Sequence, residues 1–417
     1  SWTGCPASLG KDYYTMANSL ITPTAVTREA LRILHQKLNF IGSINRQYDD
    51  RFAKSGAKIG DSLSIRLPNE YVVRTGAALS TQDTTEATET LQVATQKGVD
   101  LSFLSSDLTT DLDDFSDRIL KPAMSVLGAA IESDALSMYR DVSKEVSDIG
   151  AACSITDVLN SSKELTDALA SDDRTLLLNT QANVDLVDAL KGLFNDPAKL
   201  SENFRKGMVA NNFLGYSDVY QNTLMPLHLT GTDDGTGDYL VNGASQSGAS
   251  ITVDTGAGTL VKGDIIVFAG VNSVHPETKA DTGILKQFAV AATTGTSTTT
   301  ITITPSLVAT GAKQNVTGVP ADNAAISCLE SDRSTAVAAS ADYGISMGYS
   351  KNAFAFATAD LTMPKGVDFS AREVQDGISM RVVRQYTIAD DKFPCRLDVL
   401  YGYKTIREQE AVRIGSN

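Results

Sequence analysis

GDIIVFAGVNSVHPETKADTG, residues Gly263–Gly283, packs an unbroken apolar run, a His-Pro turn and a glycine exit into one short stretch. A run such as IIVFA bounded by turn residues reads as a buried strand, and the polar tail after Pro276 reads as the turn that reverses it. The neighbours repeat the pattern. From Thr230 to about Pro320 there is little helical period, and DYLVNG, SITVDTG, LKQFAVAA and TTTITITPSLVA form short β runs separated by glycine-containing turns. Strands at spacings of roughly ten residues predict a small all-β barrel or sandwich, set as an insert within another domain. His275 precedes a proline at a strand end, with no cysteine or second histidine near it, so a turn-packing role is expected for it rather than metal or acid–base chemistry.

Outside the insert the pattern is mixed. ITPTAVTREALRILHQKLNF predicts a helix from Thr22 to Phe40, with Thr22 as cap, Pro23 in the first position and Val26, Ala30, Ile33 and Leu34 on one stripe; His35 falls inside it as a structural or surface residue. From Ile59 the period becomes two. Leu63, Ile65 and Leu67 share one face, and Leu91, Val93 and Thr95 share one face of a second run, so the two runs predict the arms of a long hairpin whose polar tip projects from the body. A two-stranded ribbon is marginal alone and needs a surface to lie on.

A long helix is predicted from Asp107 to Asp141, with Phe115, Ile119, Ala123, Val126, Ala130 and Met138 as its apolar stripe and a kink near Ile119 to Lys121 caused by Pro122. RTLLLNTQANVDLVDALKGLF then predicts a buried strand, a cap at Asn179 or Thr180 and a helix, and NAFAFATADL, ISMRVVRQYTI and CRLDVLYGYKTI predict sheet strands after the insert.

The bulk numbers limit the function classes. A chain of 417 residues exceeds the roughly 250 to 300 at which a single core stops growing, so several packing units are expected. No apolar run approaches the ~20 residues of a membrane-spanning helix. The N-terminal stretch lacks the basic start, apolar run and cleavage site of a secretory signal, so export by that route is not expected; Met16 reads as a start residue and residues 1–15 as a possible leader. The four cysteines, Cys5, Cys153, Cys328 and Cys395, are far apart and suit neither a zinc module nor a disulfide framework. A net charge of −14 argues against a protein that grips nucleic acid by counterion release.

Catalytic constellations are weak. GISMG, Gly344–Gly348, matches the nucleophile-elbow pattern with Ser346 as nucleophile, but that arrangement needs a later histidine and the chain has none after His275. Asp107, Asp111, Asp113 and Asp114 suit the start of a helix dipole better than a cation. Asp233, Asp234 and Asp238 lack the ligand ladder of an EF-hand. No catalytic residue, cofactor site or metal site is expected.

ANSLITPTAVTREAL from Ala17, FRKGMVANNFLGYSDVYQN, KGDIIVFAGVNSVHPETK, DGISMRVVRQYTI and CRLDVLYGYKTIRE, in that order, resemble the major capsid (coat) proteins of tailed double-stranded DNA bacteriophages, in particular the coat family of the short-tailed Salmonella phage P-twenty-two. The resemblance implies an α+β fold of the Hong Kong ninety-seven capsid type carrying an inserted all-β barrel. On that frame residues 1–56 are an N-terminal arm, 57–104 an E-loop hairpin, and 105–150 a peripheral domain with the spine helix. Residues 151–226 and 336–363 form an axial domain, 227–335 the inserted barrel, and 364–417 the C-terminal strands of the peripheral domain. Copies would assemble as pentons and hexons of an icosahedral shell in the virion, built in the host bacterial cytoplasm and held without covalent crosslinks. Partners implied are scaffolding protein, a portal, possible decoration proteins and enclosed DNA bound without sequence specificity, with no membrane. Leu63, Ile65, Leu91 and Val93 are the candidate intersubunit contacts of the hairpin. Two other readings stand beside this one: an encapsulin-like nanocompartment shell, and a β-rich surface adhesin.

Overall fold

The computed structural model describes residues 23–35, 38–46, 61–74, 76–79, 81, 86–104, 121–190, 214–233, 239–254, 256–296, 298–328, 335–375, 378–388 and 392–416. The chain opens with α1 (Pro23–His35) and the short α2 (Asn39–Ser43). The single helix expected from Thr22 to Phe40 is therefore two pieces, and Ala30, Leu31, Ile33 and Leu34 supply the buried stripe of the first. Next come β1 (Asp61–Arg66), β2 (Thr88–Val93) and β3 (Thr95–Leu104), followed by α3 (Lys121–Leu136), which ends in a 3-10 turn at Ser137–Asp141.

The buried face of α3 is Ala123, Leu127, Ile131 and Ala135, each four residues on from the last. This corrects the expected stripe, since Val126 is exposed and Ala130 only half-buried. The kink, Phe115, Ile119 and the acidic group at Asp107–Asp114 fall outside the described residues.

Past α3 run β4 (Glu145–Ser147), α4 (Ile155–Asp167), β5 (Arg174–Leu178), α5 (Thr180–Leu190), β6 (Asp218–Gln221) and β7 (Leu227–Leu229). Ser154 and Asp157 form a reciprocal capping box on α4, and Asn179 Oδ1 accepts from Ala182 N at 2.6 Å, as a cap at the expected strand-to-helix junction must.

The middle of the chain is β8 (Tyr239–Leu240), β9 (Gly248–Thr252), β10 (Ile265–Val274), β11 (Asp281–Val290), β12 (Thr300–Leu307) and β13 (Ala325–Ser327). These strands pair in the order β8-β13-β10-β11-β12-β9. The two outer strands are joined as well, by Asn242 N to Thr252 O and Asp254 N to Leu240 O. Tyr239, Phe268, Phe288, Ile301 and Ile326 fill the interior of this unit. Its β10–β11 turn is organised by His275, whose Nδ1 accepts from the backbone N–H of both Glu277 and Thr278 at 3.3 Å.

The chain then returns through β14 (Asp342–Ser350), β15 (Phe354–Ala359), β16 (Phe369–Gln375), β17 (Ile378–Arg384), β18 (Lys392–Thr405) and β19 (Ala411–Ser416). One sheet runs β4-β19-β14-β5-β6, with β7 also on β14; another runs β15-β18-β17-β16, with β3 also on β18. Three boundaries differ from expectation. Leu227–Leu229, expected in the insert, pairs with Asp342–Gly344. Phe354–Ala359, expected with the preceding lobe, pairs with β18, because the Lys351–Ala353 turn carries the chain across to the other sheet. The final strand β19 sits between β4 and β14 rather than with the other C-terminal strands.

Candidate functional site

The hairpin is built on small residues. β1 and β2 pair antiparallel with Leu63 opposite Leu91 and Ile65 opposite Glu89, and the base of the ribbon lies over β15 and β18. Ala355, Ala357 and Ala359 give it a shallow apolar floor. Gly402 lets it come close: a Cβ there would sit 2.1 Å from Gln92 O, so any side chain would push β2 off β18. Onto that floor go Ile65, Leu91 and Val93, all buried, with Leu63 packed at the margin.

Of the four residues expected to touch another subunit, Ile65, Leu91 and Val93 are buried on the chain's own body, and Leu63 packs at the margin of that cluster. The second arm is also shorter than expected. Alternation continues through Thr95–Leu104, but after Ala94 that segment leaves the hairpin and pairs with β18 along its whole length. Gly98 permits it, because a Cβ there would meet Leu397 O at 2.4 Å.

The first arm stops at Arg66. Pro68 has no N–H for a ladder, and after the Leu67 N to Ala87 O bond of 2.8 Å the chain runs on without strand pairing. The stretch beyond Pro68 is the outermost part of the hairpin, and it exposes several apolar side chains: Val73 is 90% exposed, Leu79 83% and Tyr71 57%, with Val72 exposed beside them. Alternation made Tyr71, Val72 and Val73 look like strand, where Pro68 was the signal that could have revealed them, and Leu79 lies in the tip expected to be polar. The tip is braced from the insert, where Lys279 Nζ lies 3.1 Å from Glu70 Oε2.

Polar side chains concentrate elsewhere, at the seam between the insert and the body. Glu145 pairs with the fully buried Arg413 at 2.6 Å and accepts from Tyr343 Oη at 3.1 Å. Gln287 of β11 clasps the backbone of the same residue, accepting from Glu145 N at 3.0 Å and donating to Glu145 O at 3.1 Å. Buried His228 bridges Tyr139 Oη at 3.1 Å and Asp264 Oδ1 at 2.9 Å, while Asp264 Oδ2 accepts from Gly231 N and Val261 N. Burial, with Glu145 adding to it, pushes the Tyr343 hydroxyl well above the ordinary tyrosine range.

A Tyr–His–Asp chain could relay a proton, and sequence reasoning passed over His228. The cavity beside it, lined by Glu145, Asp264, Cys328 and Tyr343, is only about 10 Å³, room for one water and no substrate. Burial holds the Cys328 thiol well above its ordinary range, away from the reactive thiolate. Ser346 lies inside strand β14, fully buried, its Oγ accepting from Asn179 N at 3.0 Å, so Gly344–Gly348 is a strand and not a strand-to-helix elbow. Asp233 is buried; Asp234 and Asp238 fall outside the described residues. Among the described residues no cluster of His, Cys, Asp and Glu could hold a metal ion, and no helix is long and apolar enough to cross a membrane. The seam is therefore chemistry used for holding.

A family model described as the P22 coat protein, gene protein 5, matches residues 45–415. The chain belongs to the P22 coat protein family. As a coat protein it is a structural major capsid protein, one that forms the icosahedral shell of a phage, and its place is the virion capsid. Among solved structures, the chain is similar to a chain from Mycobacterium phage Che8 (11% identity, 89% of each chain, TM-score 0.44) and to one from Gordonia phage Cozz (10% identity, 90% of this chain and 87% of that one, TM-score 0.39). A virus-like particle from Pyrococcus furiosus is similar at 7% identity over 94% of this chain and 98% of that one, TM-score 0.40. The assignment rests on the family match and not on these. No curated protein matches the chain.

Proposed function

We propose that this coat protein builds its shell as pentons and hexons around double-stranded DNA, and that the ribbon at residues 61–93 is the E-loop by which one copy lies on the next. The observation that carries this reading is the division of labour along the ribbon. Its base is anchored by Ile65, Leu91 and Val93, while Tyr71, Val73 and Leu79 at its far end are exposed. Apolar side chains held outward on a ribbon gain by burial against a neighbour, each contributing about 1.5–3 kcal/mol if fully covered. Many such weak contacts act together once a shell closes.

In this reading α3 is the spine helix of a Hong Kong ninety-seven-type fold, the unit from Tyr239 to Ser327 is the inserted β-barrel, and the sheet containing β14 and β5 is the core of the axial domain. Scaffolding protein, a portal and decoration proteins are the partners that such a shell calls for, and the host bacterial cytoplasm is where it assembles. The acidic chain, at −14, suits a container that DNA must slide within.

The test replaces Val73 and Leu79 together with Asp and co-expresses the variant with a scaffolding protein. The subunit is expected to keep wild-type circular dichroism and thermal unfolding but to yield no closed shells by sedimentation and negative-stain microscopy. Normal shells from the variant would remove the tip from the interface.

A further inference from the structure

The middle of α3 buries a carboxylate. Glu132 is fully inaccessible, yet it sits on a helix whose other buried positions are aliphatic or small. Its Oε1 accepts from Phe40 N at 3.0 Å and from Asn222 Nδ2 at 2.6 Å. The first contact is a helix cap supplied from another element: Leu38, at the N-cap of α2, offers no side-chain bond, and the opening turn of α2 finds its acceptor on α3 instead. The second contact is fixed in direction, because Asn222 Oδ1 is already engaged by Leu224 N at 2.8 Å, which turns the amide nitrogen toward Glu132. One oxygen thus ties together the N-terminal segment, α3 and the segment just after β6.

The other oxygen does the opposite. Oε2 is buried with no hydrogen-bond partner, and among the described residues no ion pair joins Glu132. A neutral acid suits this site, presenting its carbonyl oxygen to both donors; an ionised one would leave half its charge bare in an apolar core. The titratable groups packed around it do not offset that charge. From β14 comes Tyr349, whose hydroxyl is engaged with Ser43 at 2.6 Å; from β6 comes Tyr220, in a cleft lined by α2 together with Asp173, Asp218 and Lys351; on α3 itself Asp134 is taken by Lys97 and Tyr401.

We propose that Glu132 is a proton-sensitive latch: neutral, it holds α2 and the Asn222 segment against α3, and ionised, it lets α2 go. Burial pushes the Glu132 carboxyl up to about 7, against the opposing pull of the Phe40, Asn222 and Asn39 donors. Because the acid is held above the ordinary carboxylate value of 4.5 in the closed state, its contribution is complete only below that value and is lost progressively as pH rises from there through about 7.

Hydrogen–deuterium exchange of the full-length coat protein, corrected for intrinsic exchange rates, tests this on peptides covering residues 38–46. Opening of α2 is expected to rise about tenfold between pH 6 and pH 8 in the wild type. Glu132→Gln keeps the acceptor and removes the proton, so its opening should be flat across that range. Glu408→Gln is the control, since Glu408 is also pushed up to about 7 by burial but lies away from α2; it should retain the tenfold rise. A wild type with no pH response, or a Glu132→Gln protein that still responds, would overturn the latch. So would a response abolished by Glu408→Gln.

Discussion

Arg413 and Glu145 show how much rides on single side chains in this coat protein. Arg413 is fully buried, its guanidinium 2.6 Å from Glu145 and stacked over the Tyr139 ring at 5.8 Å. Two buried charges make a poor net contribution as a pair but a severe penalty when one is removed, of about 3–5 kcal/mol. Arg413→Met should therefore destabilise the isolated subunit by that amount in urea unfolding, and Glu145→Gln in the Arg413→Met background should recover part of the loss. A double variant as unstable as the sum of the two single ones would show that the pair is not coupled. The sequence could announce neither partner. Arg413 stands in a strand where a solvent-facing charge is the ordinary reading, and Glu145 opens the short β4 where the same holds; only the packing of distant segments makes them interior residues.

At the scale of elements, alternation and capping carried most of the reading. The strand, Asn179 cap and helix at Arg174–Leu190, the insert strands, and the strands β15, β17 and β18 all stand where period and turn residues put them. The hairpin did not, because alternation is blind to a change of partner: Thr88–Val93 and Thr95–Leu104 form one continuous pattern, yet the chain switches sheets between them. The apolar face of Ile65, Leu91 and Val93 was open to two readings for the same reason, since a ribbon's apolar face says that it is covered but not by what, and here the chain's own body covers it. Leu91→Ala should now cost the subunit about 2–5 kcal/mol, because the side chain is fully buried over Ala355, Ala357 and Ala359. Val73→Ala, at the exposed tip, should stay within about 0.5 kcal/mol. Urea denaturation of the two variants decides it; the reverse ordering would mean that the tip, and not the base, is what holds the ribbon to its own body.

For the whole molecule the question is whether the insert is an independent passenger. Its strand period and a core made mostly of its own apolar side chains say that it is. The seam says otherwise. Asp264 lies just before β10, and its two carboxylate oxygens serve His228, Gly231 and Val261, so the strands entering the insert and the aromatic pair Tyr139 and Tyr343 packed on His228 converge on one buried group. Joining two cores through such a group makes their unfolding cooperative, because opening either one strands buried donors belonging to the other. Asp264→Ala leaves the insert's own core untouched but orphans two backbone N–H groups, at about 1–3 kcal/mol each. Calorimetry of the wild-type subunit should show one transition. In Asp264→Ala it should split, with the loss of insert strands and the loss of body helices melting at separate temperatures. A single transition merely shifted downward would place the coupling elsewhere along the seam, with Gln287 and its clasp on the Glu145 backbone as the remaining joint.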